Sequence, residues 1–257
     1  MPPVISIVTG TKGRPDSFRR MLESICKHTT TDWELVIADA NEKSYVEADP
    51  RIKVVSDFPP GGCSLGYNRA FHATTGKWVA WLNDDSEVLP GWDTAGIDFM
   101  ESHPEVGLGA YYWRDTNGPN IFRVNTYYGM PYANFGILSR ELGEKIGWFD
   151  AVAASMYGND NSLTFRVLLA GMGVACVPGG RLLHHCDRIE RMNEPSVIRA
   201  QGEKLIVAYK DRLPQMQITA LKFAGMNRVM ETNERGESNA QGAHRVRLGI
   251  PEAIRFT

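Results

Sequence analysis

WVAWLNDDSEV, residues 78–88, poses the deciding question. Trp78-Val79-Ala80-Trp81-Leu82 is a short apolar run of the kind that makes a buried strand. It stops on an amide and two adjacent carboxylates, Asn83, Asp84 and Asp85. Neighbouring negative charges repel, and burying either one is unfavourable unless a cation lies close. The spacing leaves two readings. One is a solvated turn ahead of Pro90-Gly91. The other is an oxygen-rich seat for a hard divalent ion, since Mg²⁺ is commonly held by one or two carboxylates plus substrate phosphates.

The flanking sequence says which sheet receives this strand. Val4-Ile5-Ser6-Ile7-Val8 is a β-branched run closed by Thr9-Gly10, and reads as a strand. Pro15-Asp16 then opens a helix, where the missing proline N–H is harmless, with Phe18, Met21, Leu22 and Ile25 at helical spacing. Strands follow at Trp33–Ala38, ending on Asp39, and at Ile52–Val55; a helix is expected over 64–75 and the fourth strand over 77–82. Strand, helix and strand in alternation are the grammar of a parallel α/β sheet, in which ligands bind at the carboxyl ends of strands. Thr9, Asp39 and Asp85 all fall at or just past such ends.

Beyond residue 90 the pattern loosens. A helix over about 91–102 leads to a strand at Val106–Trp113, and residues 134–139 form another. A helix is expected over Ser162–Ala170, strands at Val174–Val177 and Arg181–His184, and helices over 195–212 and 215–230. Residues 231–244 are rich in Gly, Asn, Ser and charge and read as a mobile tail. The expected division is a domain over 1–212 followed by a C-terminal helix and tail over 213–257.

Bulk properties exclude several classes. With 257 residues, 43% hydrophobic and 23% charged, the chain can bury an ordinary globular core. Its 28 basic and 30 acidic residues nearly cancel, so net charge gives no argument for a nucleic-acid partner. The four cysteines, Cys26, Cys63, Cys176 and Cys186, form no Cys-x-x-Cys pair, which leaves a structural zinc site unsupported and fits a reducing compartment. MPPVISIVTG lacks the basic and apolar regions of a signal peptide, and no apolar run is long enough to span a bilayer. The expectation is a cytoplasmic protein, with the inner face of the membrane as an alternative.

Other chemistry-bearing groups keep two readings each. Asp39 suits either a turn cap or a ribose contact. Thr9–Pro15 is a strand–helix connector that could bring Arg14 to phosphates, although it has neither the Walker nor the Gly-x-Gly-x-x-Gly pattern. Asn159-Asp160 precedes a helix, where a cap and a general base are both possible. Of His184-His185-Cys186, only one histidine can reach a given site from a strand, because neighbours face opposite ways. The aromatics Tyr111, Tyr112, Trp113, Tyr127, Tyr128, Tyr132 and Phe135 could stack on a sugar or pack in the core.

Taken in order over roughly residues 3–190, these pieces resemble a family-2 glycosyltransferase of the GT-A fold. The opening strand and Arg14-Pro15 are similar to the family's Pro-Thr-x-Asn-Arg-Pro stretch, with Gly13 where Asn is usual. Asp39 matches the acid after the second strand. Gly62, Ser64 and Asn68 match a Gly-x-Ser-x-x-x-Asn stretch, and Asn83-Asp84-Asp85 falls on the Asp-x-Asp signature with Asn in first place. Gly147–Asp150, Asn159-Asp160 and Arg166 follow the later Gly-x-Phe-Asp, Glu-Asp and Arg pattern, and Pro178 and His184 the late Pro…His pair.

The resemblance implies an α/β fold with a Rossmann-like, mostly parallel sheet, and inverting transfer from a nucleotide-diphosphate sugar, a UDP-sugar first, to a hydroxyl. Asp160 would be the catalytic base. Thr9, Thr11, Arg14, Asp39, Gly62, Ser64, Asn68, Asn83 and Asp84 would bind the donor. Asp85 and His184, with His185 as fallback, would hold Mn²⁺ or Mg²⁺. The acceptor would be a glycan, a lipid-linked saccharide or another hydroxyl compound. Two alternatives stand beside this: a sugar nucleotidyltransferase, which would release pyrophosphate, and a GT-A-fold binding protein that has lost activity.

Overall fold

The computed structural model describes residues 2–227 except 45, 47–48, 128–129, 156–157 and 187–194. The expected tail over 231–244 and Tyr128 lie outside the described residues. The chain runs β1 (Ile5–Thr11), α1 (Pro15–His28), β2 (Trp33–Asp39), β3 (Ile52–Ser56), α2 (Cys63–His72), β4 (Trp78–Trp81), β5 (Ser86–Val88) and α3 (Trp92–Ser102). It continues through β6 (Val106–Asp115), β7 (Asn125–Tyr127), β8 (Met130–Tyr132), β9 (Gly136–Ser139), α4 (Arg140–Ile146), α5 (Asn159–Leu169), β10 (Gly173–His184), α6 (Pro195–Tyr209) and α7 (Leu213–Lys222).

Eight strands form one sheet in the order β3-β2-β1-β4-β9-β6-β10-β5. The β3-β2-β1-β4 half is parallel throughout. β9 enters antiparallel between β4 and β6, β10 lies parallel to β6, and β5 is antiparallel to β10. Alternation along β1 explains the two apolar layers. Ile5 and Ile7 face Phe18, Met21 and Ile25 of α1, whereas Val8 joins the core with Tyr67 and Phe71 of α2. Burying each such side chain stabilises the fold by about 1.5–3 kcal/mol. In the second layer Phe71 and Trp148 stack at 4.5 Å between ring centroids, tying α2 to the segment before α5.

Several sequence expectations change in detail. The two late strands are one strand, β10, with a register shift between Cys176 and Arg181; the Pro178-Gly179-Gly180 break is a bulge inside a strand rather than its end. The helix expected over 215–230 begins at Leu213 and ends at Lys222, followed by a 3₁₀ turn at Ala224–Met226. Pro214 explains the early start, since proline fits the first turn of a helix. The short strand β5 and the β7–β8 hairpin had no sequence expectation; at three residues each they carry no readable period.

Tyr111, Tyr112, Trp113 and Phe135 are all nearly inaccessible, so these aromatics pack rather than face a ligand. Met216 of α7 lies in the same core as Leu163 and Leu205. Among the described residues no helix is long and apolar enough to cross a membrane.

Candidate active site

The parallel half gathers its strand ends by register. Thr11 pairs with Asp39 and Asp39 with Ser56 across β1, β2 and β3. Asp39 is 3% exposed. Its Oδ1 accepts hydrogen bonds from the backbone N–H of Asn41 at 3.0 Å and its amide at 2.6 Å. Its Oδ2 is buried without a hydrogen-bond partner in the protein. A buried polar atom left unpaired requires a reason, and a bound ligand is one.

Asn83-Asp84-Asp85 forms the tight turn between β4 and β5, with the Asn83 carbonyl accepting from the N–H and Oγ of Ser86 at 3.1 and 2.7 Å. The Tyr67 hydroxyl donates to the carbonyl of Leu82 at 2.7 Å. Asp84 is fully buried. Thr11 Oγ1 donates to its Oδ2 at 2.8 Å, and the Arg14 guanidinium bonds its Oδ1 through Nη2 while Nη1 reaches Asp85 Oδ2 at 3.0 Å. Arg14 therefore straddles both carboxylates from the start of α1. Burial pushes the Asp84 carboxyl up to about 6, with Arg14 and Thr11 pulling the other way. Burial acts upward on Asp85 too, but His184 and Arg14 outweigh it and hold that carboxyl below its usual range.

Two ladders deliver His184. In β10 it pairs with Ser86 of β5 on one side and with Asp115 of β6 on the other. The N–H of His185 donates to the Asp85 carbonyl at 2.9 Å, fixing the turn against the strand. His184 Nε2 lies 3.5 Å from Asp85 Oδ1, an oxygen with no hydrogen bond of its own. On the other side of the ring, Nδ1 lies 2.9 Å from Asp115 Oδ1. Burial alone would lower the imidazole pKa, but Asp85 and Asp115 outweigh it and raise it. His185 turns away and meets Glu87 Oε1 at 2.5 Å through Nε2. An unpaired carboxylate oxygen facing an imidazole nitrogen fits Mn²⁺ or Mg²⁺, and Asp115 would orient the ring.

Asp160 sits in the first turn of α5. Its Oδ1 accepts from the N–H of Asn161 at 2.8 Å, and its Oδ2 from the side-chain amide of Asn134 at 2.8 Å. Burial pushes it up to about 6 against these bonds. Asn134 can point only one way. Its Oδ1 accepts from Trp113 Nε1 at 3.1 Å and from Asn125 at 2.9 Å, which leaves Nδ2 for Asp160. Asn159 opens α5 behind a Gly158 N-cap, its Oδ1 accepting from the Asp160 N–H at 3.0 Å. Asn159 Nδ2 donates to Cys63 Sγ at 3.6 Å, which sets the start of α5 beside the start of α2; burial first, then the charges of Asp160 and Asp84, pushes that thiol up to about 12.

Gly62, Ser64 and Asn68 stand at that end of α2 and support it. Gly62 has a φ of 111°, and a Cβ there would come within 3.1 Å of the Ser155 carbonyl. The Ser64 hydroxyl bonds the carbonyl of Ala154. Asn68 clasps the backbone of Phe149, donating to its carbonyl at 2.9 Å and accepting from its N–H at 3.0 Å. These side chains engage the loop ahead of Asp160. Thr9 is fully buried beneath the site. Arg166 bonds the carbonyls of Ile146, Gly147 and Trp148 and pairs with Asp150, so it holds the corner after α4.

Sequence reasoning missed Asp115 and Asn134. Asp115 ends a strand that was expected to stop at Trp113; two more residues would have placed it among the strand-end acids. Asn134 carried no signal, because its partners come from three separate segments.

A mostly parallel sheet flanked by helices, with β9 entering antiparallel, is the architecture of the GT-A fold, and solved structures share that fold. S. aureus TarS 1-349 superposes with a TM-score of 0.59 at 14% identity, covering 88% of this chain and 74% of that one. The mannosyltransferase PcManGT from Pyrobaculum calidifontis, solved in complex with GDP-Man and Mn²⁺, gives 0.58 at 15% identity, covering 88% and 76%.

Residues 6–157 match the glycosyl transferase family 2 profile, and the chain belongs to that family. The O-antigen biosynthesis protein RfbC of Myxococcus xanthus is 26% identical over 230 residues, 71% of this chain but 17% of that protein. This chain thus spans less than a fifth of that curated relative. Membership of that family speaks for glycosyl transfer rather than nucleotidyl transfer.

Proposed function

We propose that the chain transfers a sugar from a nucleotide-diphosphate sugar to an acceptor hydroxyl with inversion of configuration, and that a divalent ion assists. The observation that carries this is the strand-end cluster in which Arg14 straddles Asp84 and Asp85 while Asp85 Oδ1, left without a hydrogen bond, faces His184 Nε2 at 3.5 Å. Asp85 is held ionised beside His184, while Asp160, with a pKa of about 6, stands apart as a base. A carboxylate tuned towards neutrality is suited to take a proton from a hydroxyl as it attacks.

Asp39, with its unpaired Oδ2, receives a hydroxyl or N–H of the donor's nucleoside. Arg14 and Thr11 fix Asp84 and Asp85 so that the turn is formed before the donor arrives. Asp85 and His184 would hold Mn²⁺ or Mg²⁺, which supplies positive charge against a diphosphate. Asp160 accepts the acceptor's proton, and no residue is required to form a sugar–enzyme bond. We also propose residues 1–212 as the catalytic unit, since every group in this scheme lies there. A UDP-sugar is the favoured donor and a saccharide, free or lipid-linked, the favoured acceptor. The mannosyltransferase neighbour, solved with GDP-Man and Mn²⁺, supports donor class and metal but leaves the base to experiment.

A thermal-shift screen of UDP-, GDP- and dTDP-sugars with Mn²⁺ identifies the donor by the largest stabilisation. Proton NMR of the product made from that donor should show the opposite anomeric configuration. Retention would overturn the assignment of Asp160 as sole base.

A further inference from the structure

Asp85 faces one nitrogen of His184; the other nitrogen belongs to a separate cluster. His184 Nδ1, Asp115 Oδ1 and Cys186 Sγ form a triangle with sides of 2.9, 2.8 and 3.2 Å. Three residues close it. Asp115 lies opposite His184 in the β6–β10 ladder, and its Oδ2 is tied by Arg123 at 2.9 Å, which turns Oδ1 inward. The chain then bends at Cys186, with a φ of 53°, and its Sγ comes back to the imidazole. A thiol, an imidazole and a carboxylate meeting in this way offer one S, one N and one O atom to a common point.

We propose that Asp115, His184 and Cys186 form a second metal site, selective for Zn²⁺ and similar borderline-soft ions, and that its occupation withdraws His184 from Asp85. The ligand chemistry sets the selectivity. The thiolate is the donor that distinguishes the two sites: it suits Zn²⁺, whereas Mg²⁺ and Mn²⁺ bind carboxylate oxygens far better than sulfur. One thiolate and one carboxylate neutralise a divalent ion; binding releases the thiol proton to solvent, and the neutral imidazole presents the Nδ1 lone pair with its single proton on Nε2. The exclusion follows from the imidazole itself. With a metal on Nδ1, the ring keeps its remaining proton on Nε2, the nitrogen 3.5 Å from Asp85 Oδ1. That nitrogen then has no lone pair to offer a second ion. One histidine can serve the thiolate site or the Asp85 site, not both together.

The simpler account makes Asp115 an orienter of the ring and Cys186 a bystander; it requires no metal–sulfur bond. Titrating the protein with Co²⁺ separates the two. A thiolate-to-cobalt charge-transfer band should grow to one equivalent, vanish in Cys186→Ser and Cys186→Ala, and persist in Asp85→Asn. No band, or a band that survives both cysteine variants, overturns the site.

The coupling, unlike the site, rests on the metal role proposed above for His184. Calorimetric titration of UDP in Mn²⁺ should show affinity weakened about tenfold by stoichiometric Zn²⁺ in the native protein, and unchanged in Cys186→Ser. Equal loss in both proteins, or none in either, overturns the coupling. If Mn²⁺ itself adds nothing to UDP affinity, the donor-site reading has failed, and the cobalt band still decides whether the thiolate site exists.

Discussion

The two halves of the sheet reach the same cleft by different routes. In the β3-β2-β1-β4 half, every strand is parallel and each carboxyl end arrives at one edge because the topology requires it. Thr11 and Asp39 come together by register alone, and the 83–85 turn at the end of β4 joins them there, tied also to β10 through the N–H of His185. In the β9-β6-β10-β5 half, parallel and antiparallel pairings are mixed, β10 carries a bulge, and the partners of Asp160 and His184 come from distant segments. The first half presents groups on strand ends; the second holds a carboxylate, Asp160, and a histidine, His184, through long-range hydrogen bonds. Binding is thus expected to depend on the first half, and the tuning of reactivity on the second.

The largest effect tests that division directly. Asp160→Asn should reduce turnover by about 10³-fold while leaving donor affinity within a factor of about two. Loss of affinity with turnover preserved would place Asp160 among the binding groups and erase the contrast. Asp85→Ala, in the turn that both halves touch, should weaken UDP binding in Mn²⁺ by about 10–100-fold and make affinity independent of the ion. Calorimetry with and without Mn²⁺ reads both quantities, and an unchanged Mn²⁺ dependence contradicts the assignment.

Asn68→Ala probes the seam between the halves. It leaves the N–H and carbonyl of Phe149 unpaired, and denaturant unfolding should show a loss of about 1–3 kcal/mol. A neutral result would mean the 149–155 loop is held without that clasp. The smallest effect concerns tuning. Asp160 works as a base only when ionised, so kcat should fall as pH drops through about 6. Donation from Asn134 favours the ionised form, so Asn134→Ala should move that limb upward by a fraction of a pH unit. Cys63 and Tyr132 also feel the Asp160 charge but stay protonated there, their pKa values being raised by burial. A limb that does not move would assign the profile to another group.

Legibility in the sequence followed the same division. β1, α1, β2, β3, α2 and β4 were readable because their apolar periods, the proline at the start of α1 and the acids at strand ends are local signals. Asp84-Asp85 was visible as a site, but its spacing alone could not tell a wet turn from a buried pair. In the structure Asp84 is fully buried and Arg14 straddles both carboxylates. Strand β5 of the second half and the separate β7–β8 hairpin are too short to show a period. Whether His184 or His185 faces Asp85 depended on a register set by β5 and β6 together.

The sequence by itself determined the α/β class, the parallel opening half, and the residue types available for charge and proton chemistry. It did so because helix and strand periods and strand-end polarity are properties of contiguous residues. Only the tertiary structure decided which nitrogen of which histidine meets Asp85, what Asn134 does for Asp160, and that Cys186 joins Asp115. Those choices depend on strand register and on hydrogen bonds between residues far apart in the chain, where shifting a strand by one position would turn every side chain to the opposite face.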